Sequence, residues 1–293
     1  MSDMASARTI TVGGRPMCCW QAGQRGDPVL LLHGGGVDSA RLSWKLLIKP
    51  LAASHRVFAP DWPGHGESAP LPDAEYSLPR LVDIAAGVMD ALGLERASLA
   101  GISLGGGVAL GFALQRPERV DRLALVDSYG LQRTPPGGQL GWVLVNLDWL
   151  NRLSWKLMRG NRGLVRWTFR SFMHDAGAVT DDLVDEAMGL LRRPEAGRAW
   201  RAIQRHEIMR RGLRTCYMDR LGELAMPVLI VHGEHDTLVP VACAREAHAR
   251  IAGSRLRLLP SGHWPMRERP GEFNRILIEF LSAPVPAPAA QGA

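Results

Sequence analysis

Ser103 lies in the run Ala100-Gly101-Ile102-Ser103-Leu104-Gly105-Gly106-Gly107, where the residue types are those a nucleophilic serine needs. An apolar stretch, Ala97 to Ala100, leads in, and a helix-like stretch, Val108 to Gln115, leads out. Gly-x-Ser-x-Gly between a strand and a helix forces a sharp turn that strains the serine backbone and lifts its Oγ above the sheet edge. Gly101 and Gly105 carry no Cβ, so the helix can begin close to the strand. The Leu104 amide, at the start of that helix, faces the same space and is an expected oxyanion donor. The competing explanation is a plain glycine-rich packing turn, and the rest of the chain decides between them.

A site of this kind needs a parallel sheet behind it, and the chain is long enough to build one. It has 293 residues, 46% hydrophobic and 22% charged, as expected of a soluble globular protein with a sizeable core. Thr9 to Val12 and Pro16 to Gln21 flank Gly13-Gly14 and predict a hairpin. Pro28 to Leu32 is a continuous apolar run, the pattern of a strand buried on both faces, and it ends at His33-Gly34-Gly35-Gly36. Trp44 to Ala53 is helix-like; Arg56 to Pro60 is a second buried strand, ending in Asp61-Trp62-Pro63-Gly64-His65-Gly66-Glu67-Ser68. Ser77 is placed to cap a helix running to Leu92, with Leu78, Leu81, Ala85, Val88 and Leu92 on one face. After the Ser103 turn and its helix comes another apolar strand, Leu123 to Val126, closing on Asp127. Strand and helix alternate throughout, which argues for a parallel sheet with helices on both faces.

The rhythm changes from about Leu131 to Leu224, where no strand-like run occurs. Pro135-Pro136-Gly137-Gly138 marks the entrance as a turn, and Trp142, Trp149, Trp155, Trp167 and Trp200 fall on helix-like stretches. Between Arg133 and Arg220 there are 16 Lys/Arg against 9 Asp/Glu, which accounts for the whole net charge of +6. Solvated helix faces explain that excess; an electropositive lid favouring an anionic substrate is the other explanation. The alternation resumes with Pro227 to Val231, ending in His232-Gly233-Glu234-His235-Asp236. Val241 to Ile251 is helix-like, Leu256 to Leu259 strand-like, and Ser261-Gly262-His263-Trp264-Pro265 precedes a last helix from about Pro270 to Leu281. Ala283 to Ala293 is Pro/Ala-rich without periodicity and is expected to be a disordered tail.

With these motifs in order, the chain resembles the α/β-hydrolase fold superfamily from about residue 9 to 281, as a serine hydrolase. The resemblance implies a mostly parallel eight-stranded sheet with helices on both faces. It divides the chain into a core domain, residues 1–130 and 225–282, and a helical cap, residues 131–224, inserted after strand 6. The family order of nucleophile, acid and histidine maps onto Ser103, Asp236 and His263, each just past the C-terminal end of a predicted strand. The glycine turn at 34 to 36 is similar to the family's oxyanion turn, which implies the Gly35 amide, or alternatively Gly36, as the donor beside Leu104. In such a site the histidine takes the serine proton, the aspartate holds the imidazole, and the two amides stabilise the tetrahedral oxyanion. Water then releases the acyl group, so neither a metal nor an organic cofactor is expected.

Other conspicuous residues have plainer explanations. His33 and His65 lie in glycine-rich loops and read as hydrogen-bonded structural histidines. His232 and His235 have a spacing zinc sites can use, but no third ligand is apparent, so no metal is expected. Asp127 is the rival acid, because some relatives of this fold carry theirs after the sixth strand. His174 and His206 carry no assignment. Ile102 and Trp264, with Trp142 and Trp167 of the cap, are candidate pocket residues, packing between helices being the commoner fate of tryptophan. Cys18, Cys19, Cys216 and Cys243 show no ligand spacing and read as reduced thiols of a cytoplasmic protein. The opening Met1 to Ala7 has no apolar segment of a secretory signal. No run approaches a membrane span, and no Lys/Arg cluster is interleaved with stacking aromatics, so neither membrane nor nucleic acid is an expected partner. A small molecule is expected instead, acting on a monomer or homodimer.

A serine at the turn argues against the haloalkane dehalogenases and epoxide hydrolases of this fold, which place an aspartate there. Hydrolysis of a small ester, thioester or lactone remains, with an anionic acyl group if the cap charge acts on it. The run Gly262 to Glu268, with Trp264 after the histidine, and the glycine triplet resemble the meta-cleavage-product C–C hydrolases. That subfamily typically has Asn and Met flanking the nucleophile; this chain has Ile102 and Leu104. Ester hydrolysis is therefore the first expectation and cleavage of a 2-hydroxy-6-oxodienoate the alternative. A non-catalytic small-molecule receptor is the remaining class.

Overall fold

The computed structural model describes residues 6–284. The eight strands of the main sheet are β1 (Ser6–Val12), β2 (Arg15–Ala22), β3 (Pro28–Leu32), β4 (Arg56–Pro60), β5 (Ala97–Ile102), β6 (Val120–Val126), β9 (Val228–Gly233) and β10 (Arg255–Leu259). They stand in the order β1-β2-β4-β3-β5-β6-β9-β10. The β1/β2 and β2/β4 pairs are antiparallel and all others parallel, so the sheet is mostly parallel as expected.

Strand alternation sends side chains to two separate cores. On β3, Leu30 and Leu32 join one face, with α2 (Leu78–Ala91), α3 (Leu104–Gln115) and α9 (Val241–Arg250). Val29 and Leu31 join the other, with α1 (Ala40–Leu51) and α11 (Pro270–Ser282). Helices thus cover both faces of strands whose sequence showed no polar side. Ser77 caps α2 by accepting from the Arg80 amide, as its position predicted. The first helix begins earlier than its apolar pattern suggested: Ser39 accepts from the Leu42 amide, which starts α1 at Ala40 rather than Trp44. A short helix, α10 (Pro265–Glu268), follows His263 directly and was not expected.

Between β6 and β9 the chain contributes no strand to the main sheet. It forms α4 (Gly138–Asn146), α5 (Asp148–Gly160), α6 (Arg162–Arg170), α7 (Asp181–Leu191) and α8 (Arg198–Glu207). Two two-residue strands, β7 (Ile208–Met209) and β8 (Gly212–Leu213), close it as a hairpin that apolar periodicity is too short to reveal. Many of its arginines are spent on surface ion pairs: Arg133 with Asp219, Arg152 and Arg205 with Asp148, Arg162 and Arg166 with Asp181, Arg198 with Glu195. No helix among the described residues is long and apolar enough to cross a membrane. The expectation for the tail falls almost wholly on 285–293, outside the described residues.

Candidate active site

The turn after β5 has the strain its glycines predicted. Ser103 adopts φ 50° and ψ −119°, a conformation rare for a residue with a side chain. A Cβ on Gly105 would sit 2.2 Å from the Leu32 carbonyl oxygen, and one on Gly101 would sit 2.3 Å from that of Gly105. No side chain fits at either position. The backbone holds the strained residue from both sides: Ser103 N donates to Val126 O at 3.0 Å, and Ser103 O accepts from Gly107 N and Tyr129 N, both at 3.0 Å. Ile102 and Leu104 are buried, whereas Ser103 between them keeps accessible surface.

The glycine turn after β3 is built around a histidine. His33 Nε2 accepts from Trp62 N at 2.9 Å, so its Nδ1 carries the hydrogen and donates to Gly34 O at 2.8 Å. Complete burial holds this imidazole well below its usual pKa, which fixes the neutral form. His65, likewise pushed down by burial to about 4, packs edge-on against it at 5.5 Å. Both are structural, in line with the sequence. The Gly34 amide donates to Asp38 Oδ2 at 2.8 Å, and Ser43 Oγ donates to the same oxygen at 2.7 Å. With the Gly34 amide committed to Asp38, those of Gly35 and Gly36 remain the candidate donors on this turn. Trp200 of α8 lies over them; a Cβ on Gly35 would meet its ring at 2.0 Å.

His263 Nδ1 pairs with Asp236 Oδ2 at 2.8 Å, while the other Asp236 oxygen accepts from Leu238 N at 2.7 Å and Val239 N at 3.0 Å. Burial opposes ionisation of Asp236, but the His263 imidazole, with smaller help from His232 and Asp127, holds its carboxyl below the usual value. Asp127 lies after β6 as expected, yet it bonds to Gly233 N at 2.9 Å and not to the imidazole. Asp236 is the carboxylate that touches His263. The histidine loop is also fastened to the insertion. His263 N donates to Phe172 O at 2.8 Å, and Glu268 accepts from Gly262 N at 2.9 Å and Asp175 N at 2.7 Å.

The remaining candidates divide. Trp264 is buried with Phe169 and Phe172, ring centroids 5.4 and 5.5 Å away, and Phe172 stands edge-on to His263 at 6.2 Å. Ile102 has 0% exposure and packs in the same apolar cluster, so it offers no surface to a ligand. Trp167 must be corrected outright: it is 67% exposed. Helix α6 buries Val165 and Phe169, four residues apart, and Trp167 falls between them on the opposite face. Trp142 is half-buried on α4, whose single buried residue is Val145. Trp200 and Phe172 were not foreseen as walls; spacing alone does not tell which tryptophan of a helical stretch turns inward.

Among the described residues, one group gathers potential ligand atoms at cation-like spacing: Asp127, His232 and Asp236, within 4.8 Å of one another. The third ligand that the sequence lacked is therefore present, but His235 is absent from the group and stacks on His174 at 3.8 Å. His232 Nε2 is committed to Val239 O at 2.9 Å and Asp236 to His263, so the group is a hydrogen-bond cluster.

A serine turn, glycine turn and Asp–His pair at the carboxyl ends of β3, β5, β9 and β10 agree with the family match. The model of the alpha/beta hydrolase fold covers residues 27–270. The chain belongs to the α/β-hydrolase family. It is 32% identical over 266 residues to a 2-hydroxymuconate semialdehyde hydrolase of Pseudomonas sp. (strain CF600), covering 88% of this chain and 87% of that protein. It is 29% identical over 304 residues to a 2-hydroxy-6-oxo-6-phenylhexa-2,4-dienoate hydrolase of Burkholderia cepacia, covering 96% and 98%. A solved meta-cleavage product hydrolase from Pseudomonas fluorescens IP01, complexed with acetates, superposes at TM-score 0.80 with 28% identity, covering 93% and 96%. This α/β-hydrolase is thus an enzyme of hydrolase type, similar in sequence to C–C bond hydrolases.

Proposed function

We propose that this protein is a serine hydrolase of small carboxylic esters, thioesters or lactones, with Ser103, His263 and Asp236 as its triad. The observation that carries the reading is the strained serine at the start of α3, sharing the sheet's carboxyl edge with the 2.8 Å His263–Asp236 pair. Ser103 Oγ attacks the acyl carbon as His263 takes its proton, and Asp236 stabilises the imidazolium. The Leu104 amide and that of Gly35, with Gly36 as alternate, hold the oxyanion; each such donor is worth roughly 3 kcal/mol in the transition state. His263 then returns the proton to the leaving alkoxide, and water hydrolyses the acyl-enzyme by the same steps. Residues 131–224 act as the cap of this site, supplying Phe172 and Trp200 as apolar walls. Such walls suit a neutral acyl group, and any preference for an anion rests on the field of the cap arginines at a distance.

The second reading is hydrolytic C–C cleavage of a 2-hydroxy-6-oxodienoate, favoured by the names of the relatives and by Trp264 beside the histidine. That reaction must protonate carbon and hold a carboxylate and an enolate; Leu104, which follows Ser103, is apolar and buried, and Ile102 faces the core. Side-by-side kinetics on short p-nitrophenyl esters and on a 2-hydroxy-6-oxodienoate test the order. A higher kcat/KM on the esters is expected; a higher value on the dienoate reverses the two readings.

A further inference from the structure

Beneath the His263–Asp236 pair a second carboxyl group is buried, and the two are unequally served. Asp236 accepts from three donors: Leu238 N, Val239 N and His263 Nδ1. Asp127 accepts from one, Gly233 N, and its Oδ2 is buried without a hydrogen-bond partner. Both side chains are fully shielded from solvent, and ligand atoms of the two lie within 4.8 Å.

Charge does not balance if both are ionised. His232 Nε2 lies 3.7 Å from Asp127 Oδ1 and 3.6 Å from Asp236 Oδ2, yet this ring is neutral. Its Nε2 must carry the hydrogen that Val239 O accepts, its Nδ1 has no partner, and burial lowers its pKa. Glu268, facing the cluster from α10, adds negative potential rather than relieving it. No Lys or Arg among the described residues pairs with either aspartate, and His263 is neutral when it acts as base. Two like charges this close in a dry site cannot both persist, so one carboxyl keeps a proton. Three donors stabilise the charge on Asp236, and one stabilises it on Asp127.

We propose that Asp127 is a neutral carboxylic acid directed at Asp236, a positioning residue that keeps a single negative charge behind His263. Burial and the neighbouring Asp236 charge both raise the Asp127 pKa well above the carboxylate range. Its backbone is held at φ 40°, one of three positive-φ non-glycine residues described, with Ser103 and Ala74. Strain of this kind persists where surrounding structure over-determines a residue, as Asp127 N does here by donating to Val231 O at 3.1 Å. The proton stays on Asp127 through the cycle; when His263 becomes imidazolium, Asp236 alone opposes it. The positioning role rests on the proposed function, whereas the protonation state does not.

Asp127→Asn is the suitable probe, because Asn tolerates the left-handed backbone and reproduces a neutral donor and acceptor. Thermal unfolding of the wild type and this variant from pH 4 to 8 reads the charge without any substrate. A folded-state pKa raised above the unfolded value of about 3.9 stabilises the wild type fully only below that pH and is lost as pH rises. The variant has no such loss, so its Tm should gain on the wild type by a few degrees across the range. A constant or shrinking gap, a variant that fails to fold, or stoichiometric metal in the purified protein overturns the assignment. Kinetics then read the role. The acid limb of kcat/KM should stay within about 0.3 pH unit in Asp127→Asn, whereas removal of an ionised neighbour would lower it by about one unit or more. Asp127→Leu should lower kcat about tenfold further than Asp127→Asn. Equal kcat values for the two overturn the positioning role alone.

Discussion

The carboxyl edge of the sheet and the helical insertion above it are held by different means. At the edge, main-chain atoms do most of the holding: Ser103 is fixed through Val126, Gly107 and Tyr129, and Asp236 through the amides of Leu238 and Val239. Above it, side chains decide: Trp200 over Gly35 and Phe172 beside His263, with Asp175 N held by Glu268 of α10. A geometry imposed by the backbone requires particular residues at particular spacings. A wall made by packing accepts many sequences, provided volume is conserved. Reactivity should therefore be lost steeply at the edge and shallowly in the insertion.

The steepest loss belongs to Ser103→Ala, which should lower kcat by about 10⁶ and abolish labelling by a fluorophosphonate. Undiminished labelling of that variant, or labelling at Ser68 or Ser261, breaks the comparison at its root. Asp236→Asn comes next, with a loss of about 10⁴ in kcat because the imidazole is left in the wrong tautomer. Asp127→Asn should lose far less; the reverse ranking would move the acid to β6. Trp200→Ala should act at an intermediate level, raising KM about tenfold for an acyl group that packs on the indole, with kcat changed less. A kcat loss as large as that of Asp236→Asn would show that α8 belongs to the catalytic frame rather than to a wall. Smallest of all, Trp167→Ala should leave kcat/KM unchanged and shift stability by no more than about 0.5 kcal/mol, as an exposed surface substitution does.

The same contrast explains what the sequence disclosed. Gly101, Gly105 and the glycines at 34 to 36 are legible because close approach forbids a Cβ at Gly101, Gly105 and Gly35. The strands of the parallel core are legible because burial on both faces removes polar alternation, as in β3 and β9. Trp167 was misplaced because an Arg- and Trp-rich helix has no polarity contrast around its tryptophans; only the Val165–Phe169 pair shows which way α6 turns. Ile102 misled in another manner. Its apolar side chain was weighed as a ligand contact, whereas β5 sends it into the core with Ala100 and Val126. Asp127 was read as a rival to Asp236, and their proximity became visible only once β6 and β9 were neighbours in the sheet.

The bond from the His263 amide to the Phe172 carbonyl has a mechanical consequence. A lid that lifted by moving Phe172 would pull on the backbone of His263 itself. With Glu268 clasping Gly262 on one side and Asp175 on the other, that corner is an anchor. A cleft of about 450 Å³ lies between residues 64–70, the turn at Gly36–Asp38 and the 190–197 segment of the insertion, joined there only by the exposed Arg193–Glu67 pair at 3.7 Å among the described ion pairs. Breathing there would admit a ligand while the hydrogen-bonded histidine stays at rest, so that turnover and opening need not compete for the same joint.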